Sequence, residues 1–363
     1  MRLFAIISTA ILATPVWSWG SEGHKITATI AQIHLLPSAR EAVCSILKQN
    51  LTTCNLASVA SWPDEIKKDK KLSDKWKWSF GLHFVNGVDD NPPKDCSFGT
   101  KGWTSPNNIL TATVNMTRNI QPSSSVDRDI SLRFLTHFLG DIHQPFHGAG
   151  LFKGANNIPV LYGDNKTNVH AVWDDFLILK RINLLTNYTS PLPTNLSLTL
   201  SPSVLALNRR IESALTGSNY DPLVRWIVLE GIYGWWGIEH QDWAICPQYK
   251  GGREISQLVL GFEPPFEDPT DLPVCPYYWA TPTHEMLCGF IWRSDFKGVE
   301  DMKDAEYTVQ LNGTEYTGRI HDEKLVEKQL ALGGIRLAGI INEVLATEEE
   351  KLEFGVLPSL SAS

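Results

Sequence analysis

Apolar positions recur at helical spacing in several stretches of the chain. Ile26, Ile30, Ile33 and Leu36 fall three or four residues apart, one stripe of a helix, and Pro37 closes the run. Between Asp127 and Ile142, the side chains of Leu132, Leu135, Phe138, Leu139 and Ile142 share one side before Pro145 breaks the pattern. Asn168 can cap a helix running through Trp173 to Leu179. A closing helix runs from about Glu323 to Leu345, although Gly333 and Gly334 each cost a helix roughly 1 kcal/mol. Period-two alternation is sparse, and Tyr307–Leu311 with Tyr316–Ile320 around Asn312-Gly313 predicts a single hairpin. The expected architecture is all-α: a single compact helical domain over residues 19–347. It carries one irregular insertion at about 226–278, rich in Trp, Gly and Pro, and a loose tail at 348–363.

The first 18 residues change where the mature chain is expected to begin. Arg2 precedes an apolar run, and Val16 and Ser18 form the small-residue pair before a cut, the pattern of a secretory signal peptide. The run is short of the roughly 20 residues that span a bilayer, and no later stretch is long enough either. A secreted, extracellular protein with no membrane segment is expected. Six cysteines without any C-x-x-C pair point to disulfides rather than a thiolate zinc site. Sequons at Asn50, Asn115, Asn165, Asn187, Asn195 and Asn312 predict N-linked glycans. The formal charge of −8 gives no general attraction for nucleic acid. Any grip on phosphate must come from a local charge, which bound zinc would supply.

Nine residues make an all-nitrogen-and-oxygen ligand set for such a metal: Trp19, His24, Asp64, His83, His137, Asp141, His147, His170 and Asp174. His137/Asp141 and His170/Asp174 are spaced i,i+4, which puts each pair on one helix face, roughly 5–6 Å apart at Cβ. His34, His143, His240, His284 and His321 are read as surface or satisfied core residues. The run Lys67–Lys71 reads as a solvated face, and Trp235, Trp236 and Trp243 as packing.

Trp19-Gly20 ahead of His24, ASWPDE (60–65), LHFV (82–85), RFLTHFLGDIHQPFH (133–147), NVHAVWD (168–174) and GGIRLA (333–338) together resemble one family. It is that of the trinuclear-zinc single-strand nucleases of fungi and plants, the nuclease S-one/P-one family. The resemblance implies an all-α fold holding three zinc ions. Asp64, His83, His137 and Asp141 would hold one, and His147, His170 and Asp174 a second. His24, a bridging Asp141 and the α-amino nitrogen and carbonyl oxygen of Trp19 would hold the third. It further implies an endonuclease that hydrolyses phosphodiester bonds of single-stranded DNA and RNA to 5′-phosphate products, with 3′-nucleotidase activity. Asp64 would also orient the attacking water, Phe84 would stack an unpaired base, and Asn86 and Asn156 would contact substrate. No protein partner is implied.

Asn86 stands where the family commonly has Asp, Ala155 where it has a second Gly, Lys153 where it is apolar, and Pro63 where it often has Ala. The family's spacing also pairs Cys96 with Cys288. Cys44 with Cys54 are then local partners, leaving Cys246 with Cys275 inside the insertion. Two rivals share parts of this pattern. One is a zinc phospholipase C-type phosphodiesterase, which has a longer Trp-to-His spacing and ends its ligand set with Glu. The other is a non-catalytic zinc-bound secreted glycoprotein.

Overall fold

The computed structural model describes residues 19–195, 200–247, 268–269 and 271–357. Residues 1–18, where the leader is expected, residues 196–199, residues 248–267 and 270 of the expected insertion, and the last six residues lie outside them. Helix α1 (Ser21–Ile33) is followed by α2 (Pro37–Ile46), with Pro37 in the first turn of α2, where its missing N–H costs nothing. Helix α3 (Trp62–Lys68) leads through a short turn to a 3₁₀ stretch, Lys77–His83. Helices α4 (Ile109–Asn119) and α5 (Arg128–Asp141) start on side-chain caps, Asn108 and Asp127.

Helix α6 covers residues 169–184. The Asn168 side chain caps it by accepting from the Ala171 N–H, and its middle, Val172–Phe176, is π-helical. Helix α7 is Pro202–Ala214, α8 spans 221–235, α9 is Pro276–Glu285, and α10 (Leu325–Leu345) closes the core. The glycine pair of α10 explains itself by contact. A Cβ on Gly334 would lie 2.5 Å from Ile30 Cγ2 of α1, and one on Gly333 2.8 Å from the Leu139 carbonyl oxygen of α5. The two glycines bring the backbone of α10 against both ligand-bearing helices, which offsets their helix cost.

Three expectations are corrected. The sheet among the described residues is β1 (Pro159–Tyr162) antiparallel to β2 (Asn165–Asn168), not a hairpin at 307–320. Residues 309–311 do extend, pairing with Leu161, but Thr314–Gly318 and Arg319–Asp322 wind helically. Tyr316 and Ile320, four apart, are both buried on that winding, which satisfies the apolar pattern as well as a strand would.

The 226–278 stretch is core-forming at both ends rather than irregular. Ile227, Val228 and Ile232 continue α8 and are buried, and so are Trp236, Trp243, Cys246, Leu272, Val274 and Cys275. The expected tail begins with an ordered helix, α11 (Glu348–Phe354), capped by Thr347 and tied to the start of α2 by Ser38 donating to Glu350. The three disulfides are Cys44–Cys54, Cys96–Cys288 and Cys246–Cys275. No helix among the described residues is long and apolar enough to cross a membrane.

Candidate metal centre

Helix α5 carries His137 and Asp141 one turn apart and delivers both, fully buried, to the centre of the molecule. From α1, His24 stacks on His137 with ring centroids 3.7 Å apart. Gly140 makes room for it, since a Cβ there would lie 2.6 Å from His24 Nδ1. Asp64 comes from α3, His83 from the end of the 3₁₀ stretch, His147 from the turn Pro145–Gly148, and His170 and Asp174 from α6.

These eight residues form three groups: His24, His137 and Asp141; Asp64, His83 and His137; His147, His170 and Asp174. Around the second group, His83 Nδ1 and His137 Nε2 are 3.0 Å apart. Asp141 Oδ2 lies 3.0 and 3.2 Å from them, and Asp64 Oδ1 lies 3.7 and 3.6 Å. A tetrahedral zinc with bonds of about 2.0–2.1 Å separates its ligand atoms by about 3.3 Å, and these five separations lie within a few tenths of an ångström of that. His170 Nε2 and Asp174 Oδ2 are 3.2 Å apart, and His24 Nε2 and Asp141 Oδ1 3.4 Å.

Hydrogen bonding fixes which imidazole nitrogen faces the cleft. The Nδ1 atoms of His137, His147 and His170 lie 2.8, 2.7 and 2.6 Å from the carbonyl oxygens of Ala60, His83 and Gly154. A carbonyl only accepts, so each Nδ1 carries the proton and each Nε2 presents a lone pair. The Nε2 atom of His147 is buried with no hydrogen-bond partner among the described residues. A buried acceptor left bare costs roughly 1–3 kcal/mol, and a cation is the partner that chemistry offers.

Without a metal, the charges are lopsided. Burial pushes His24 down to about 4 and His83 and His170 down to about 3, and lowers His147. Burial opposes charging His137 too, but Asp141 and Asp64 outweigh it and lift that histidine to about 9. Burial also works against ionising Asp64 and Asp141, yet the surrounding histidines hold both carboxyls below their usual range. Asp174, buried beside Asp175, is raised well above it. These directions leave the cleft short of positive charge, which is the charge a bound cation supplies.

Trp19 is fully buried, and Gly20 N donates to the Asp174 carbonyl at 2.9 Å, which brings the segment entering α1 beside the group of His147, His170 and Asp174. Phe84 is 38% exposed and shares an open pocket of about 330 Å³ with Asn86, Gly81, Thr104, Ser105, Asn107 and Asn108. Asn156 stands apart from that pocket, half-buried, its Nδ2 donating to the Lys153 carbonyl at 2.9 Å.

Three participants escaped sequence reasoning. Lys67 is not solvated: its side chain is 3% exposed and its Nζ sits 2.9 Å from Asp64 Oδ1. The i,i+3 spacing on α3 was the available signal. Gln144 is fully buried. It donates through Nε2 to Asp174 Oδ1 at 2.6 Å and accepts from Phe146 N at 2.6 Å, orienting a ligand carboxylate from behind. The Gly154 carbonyl that fixes His170 is a backbone group and left no side-chain signature. His143 is a satisfied core residue, beside Arg336 and the Leu139 carbonyl, and His284 is buried with its Nε2 2.8 Å from Asp90.

The family model described as S1/P1 Nuclease matches residues 19–218. The chain is similar to Endonuclease 3 of Arabidopsis thaliana, 26% identical over 96% of this chain and 97% of that one. It is similar to Nuclease P1 of Penicillium citrinum, 35% identical over 45% of this chain and 60% of that one. Nuclease S1 of Aspergillus oryzae is 34% identical over 46% of this chain and 57% of its own. With its helical fold, its three buried His/Asp groups and a family match over more than half its length, the chain belongs to the S1/P1 nuclease family.

Proposed function

We propose that the protein is a secreted, zinc-dependent endonuclease hydrolysing phosphodiester bonds of single-stranded DNA and RNA to 5′-phosphate products, with 3′-nucleotidase activity. The observation that carries this reading is the spacing of the four donor atoms of Asp64, His83, His137 and Asp141, which matches the edges of a zinc tetrahedron. His147, His170 and Asp174 would hold a second zinc. His137 Nδ1 is bonded to the Ala60 carbonyl and its Nε2 would ligate the first ion, so the third, on His24 and Asp141, needs a further donor. The α-amino nitrogen and carbonyl oxygen of Trp19 would be that donor once the leader is removed. Bound zinc supplies Lewis acidity, bringing the pKa of water toward 7 and stabilising charge on phosphate.

The protein's own groups do the rest. Asp64 accepts a hydrogen bond from the attacking water and so points its lone pair at phosphorus. Lys67, held against Asp64, adds a fixed positive charge facing the phosphate. The exposed ring of Phe84 stacks a base that has no pairing partner, which selects single strands. Asn86, at the same pocket, can both donate and accept, and would read base edges. Asn156 would contact the phosphate from the far side.

Secretion is supported by the leader, and glycosylation by the exposure of all six sequon asparagines. The test is to secrete the protein from a eukaryotic host, count zinc per chain, and assay denatured DNA, RNA and lecithin. Acid-soluble nucleotides with about three zinc per chain are expected. A zinc-loaded protein that releases none, or that releases phosphocholine instead, would overturn the proposal.

A further inference from the structure

Beside the metal centre lies a surface the chemistry above does not use. Trp78 is 55% exposed and packs on Phe134, ring centroids 5.6 Å apart. Trp62 and Trp76 complete the cluster, 5.0 Å apart edge to face, with the Arg133 guanidinium over Trp62 at 5.6 Å and Lys75 over Trp76 at 5.2 Å. Aromatic rings then run inward without a break: Phe134 meets Phe138 at 5.4 Å, and Phe138 meets His83 at 5.5 Å. The patch therefore stands on the same framework as the metal ligands, and α3 carries both Trp62 and Asp64.

Its charge departs from that of the molecule. The chain as a whole carries −8, yet residues 65–78 hold six lysines against three carboxylates, Glu65, Asp69 and Asp74. Lys68, Lys70, Lys71, Lys75 and Lys77 are all exposed. An exposed indole within a lysine-rich exposed segment, on an acidic protein, complements a polyanion that offers aromatic faces. Single-stranded nucleic acid is that polymer. A duplex keeps its base faces covered, and an acidic peptide has none to offer.

We propose that Trp78, with the exposed lysines of 68–77, forms a second strand-binding subsite that stacks an unpaired base outside the cleavage site. This rests on the nuclease reading. From Trp78 to Phe84 the chain follows a 3₁₀ stretch rising about 2 Å per residue, so the two backbone positions are on the order of 12 Å apart along it. Stacked nucleotides advance about 3.4 Å each, so a strand held at Phe84 reaches Trp78 within a few nucleotides. A long strand engages both rings, and a dinucleotide engages only the first. The protein then prefers long substrates without any new contact to the scissile phosphate.

The experiment compares the secreted, metal-loaded protein with its Trp78→Ala, Trp78→Phe and Lys75→Gln/Lys77→Gln variants. Anisotropy of a labelled phosphorothioate oligothymidylate gives Kd, and hydrolysis of a dinucleotide and of a long homopolymer gives the length preference. Trp78→Ala should raise Kd about tenfold, the size of one base stack, and erase the preference for long strands. Trp78→Phe should recover most of both. The double lysine variant should flatten the salt dependence of Kd by about 0.7 per lost contact. Unchanged Kd and unchanged length preference in Trp78→Ala would overturn the subsite. A wild-type protein that binds the strand through Trp78 yet hydrolyses neither substrate would uphold the subsite and overturn the nuclease reading.

Discussion

His170 donates its Nδ1–H to the carbonyl oxygen of Gly154 at 2.6 Å, and that carbonyl is presented by a left-handed turn. Phe152, Lys153, Gly154 and Ala155 follow one another at φ of 50°, 55°, 62° and 63°. Three of the four carry a Cβ, and each of those costs roughly 1–2 kcal/mol in this region. The strain persists because the turn is held from outside. Gly298 lacks a Cβ where the Phe152 ring packs, and Asn157 Nδ2 donates to the Val299 carbonyl. A Cβ on Gly154 would meet the Phe146 carbonyl oxygen at 2.8 Å and His170 Nδ1 at 3.4 Å. Gly154→Ala is expected to destabilise the protein by about 1–3 kcal/mol and to weaken metal binding, because His170 must turn. Urea unfolding with and without added zinc checks this. Unchanged stability and metal content would mean that the turn does not position His170.

Gln144 joins the ligand Asp174 to the backbone at Phe146. Gln144→Glu keeps the shape but turns the donor facing Asp174 Oδ1 into an acceptor. Two carboxylates would then share one buried space, and the second acid would hold a proton or repel Asp174. Zinc affinity is expected to fall about 10–100-fold, measured by competition with a chelating dye. Wild-type affinity in this variant would remove Gln144 from the metal centre.

Gly334 should refuse a methyl group. Alanine is favoured over glycine in a helix by about 1 kcal/mol. The added Cβ, however, would lie 2.5 Å from Ile30 Cγ2 and 3.0 Å from the Thr27 carbonyl oxygen. Overpacking of this kind costs about 1–3 kcal/mol, so Gly334→Ala should lower stability on balance. A raised Tm would show that α10 can move away from α1 at no cost.

Acid should unfold the protein partly through His34. This residue is fully buried, Nδ1 bonded to the Ile30 carbonyl at 2.7 Å, and burial holds its pKa down at about 3. In the unfolded chain it titrates near 6.5. A lowered pKa means the unfolded state takes up the proton first, so stability is full above about 6.5 and falls as pH drops toward 3. The slope is about 1.4 kcal/mol per pH unit. His34→Gln should be less stable at pH 7 and lose stability less steeply below it, one proton fewer. Denaturant midpoints at several pH values measure both. Parallel acid limbs would sink the assignment.

How much was legible follows from what kind of group does the work. His137/Asp141 and His170/Asp174 announced themselves because a helix repeats every 3.6 residues and a shared metal needs one face. Glycines at 140, 333 and 334 had no such signal, since each records a contact with another helix. The helix α11 was legible in principle: Thr347 followed three residues on by Glu350 is a capping-box pattern. Lys67 was hidden by its neighbours, because a lysine run reads as solvent-facing until one member is seen to point inward. The 307–320 hairpin failed because an Asn-Gly pair and two apolar residues four apart suit a helix start equally well.

The last prediction concerns the amino end. A Cβ on Gly20 would lie 1.7 Å from Asp175 Oδ1, so that carboxylate would have to shift, and the Gly20 N–H is already given to the Asp174 carbonyl. The segment entering α1 is thereby pinned against α6, with Trp19 buried at the edge of the ligand groups. If the third metal takes the Trp19 amine, a peptide bond at that nitrogen removes both its lone pair and its proton-dependent basicity. A variant that keeps one residue ahead of Trp19 is expected to fold, to hold about one zinc fewer per chain, and to lose most of its turnover. Mass spectrometry establishes the amino terminus, and metal analysis and single-strand hydrolysis read the effect. Full zinc content with full activity in the extended protein would refute the amine as a ligand and leave the third metal to His24 and Asp141 with water.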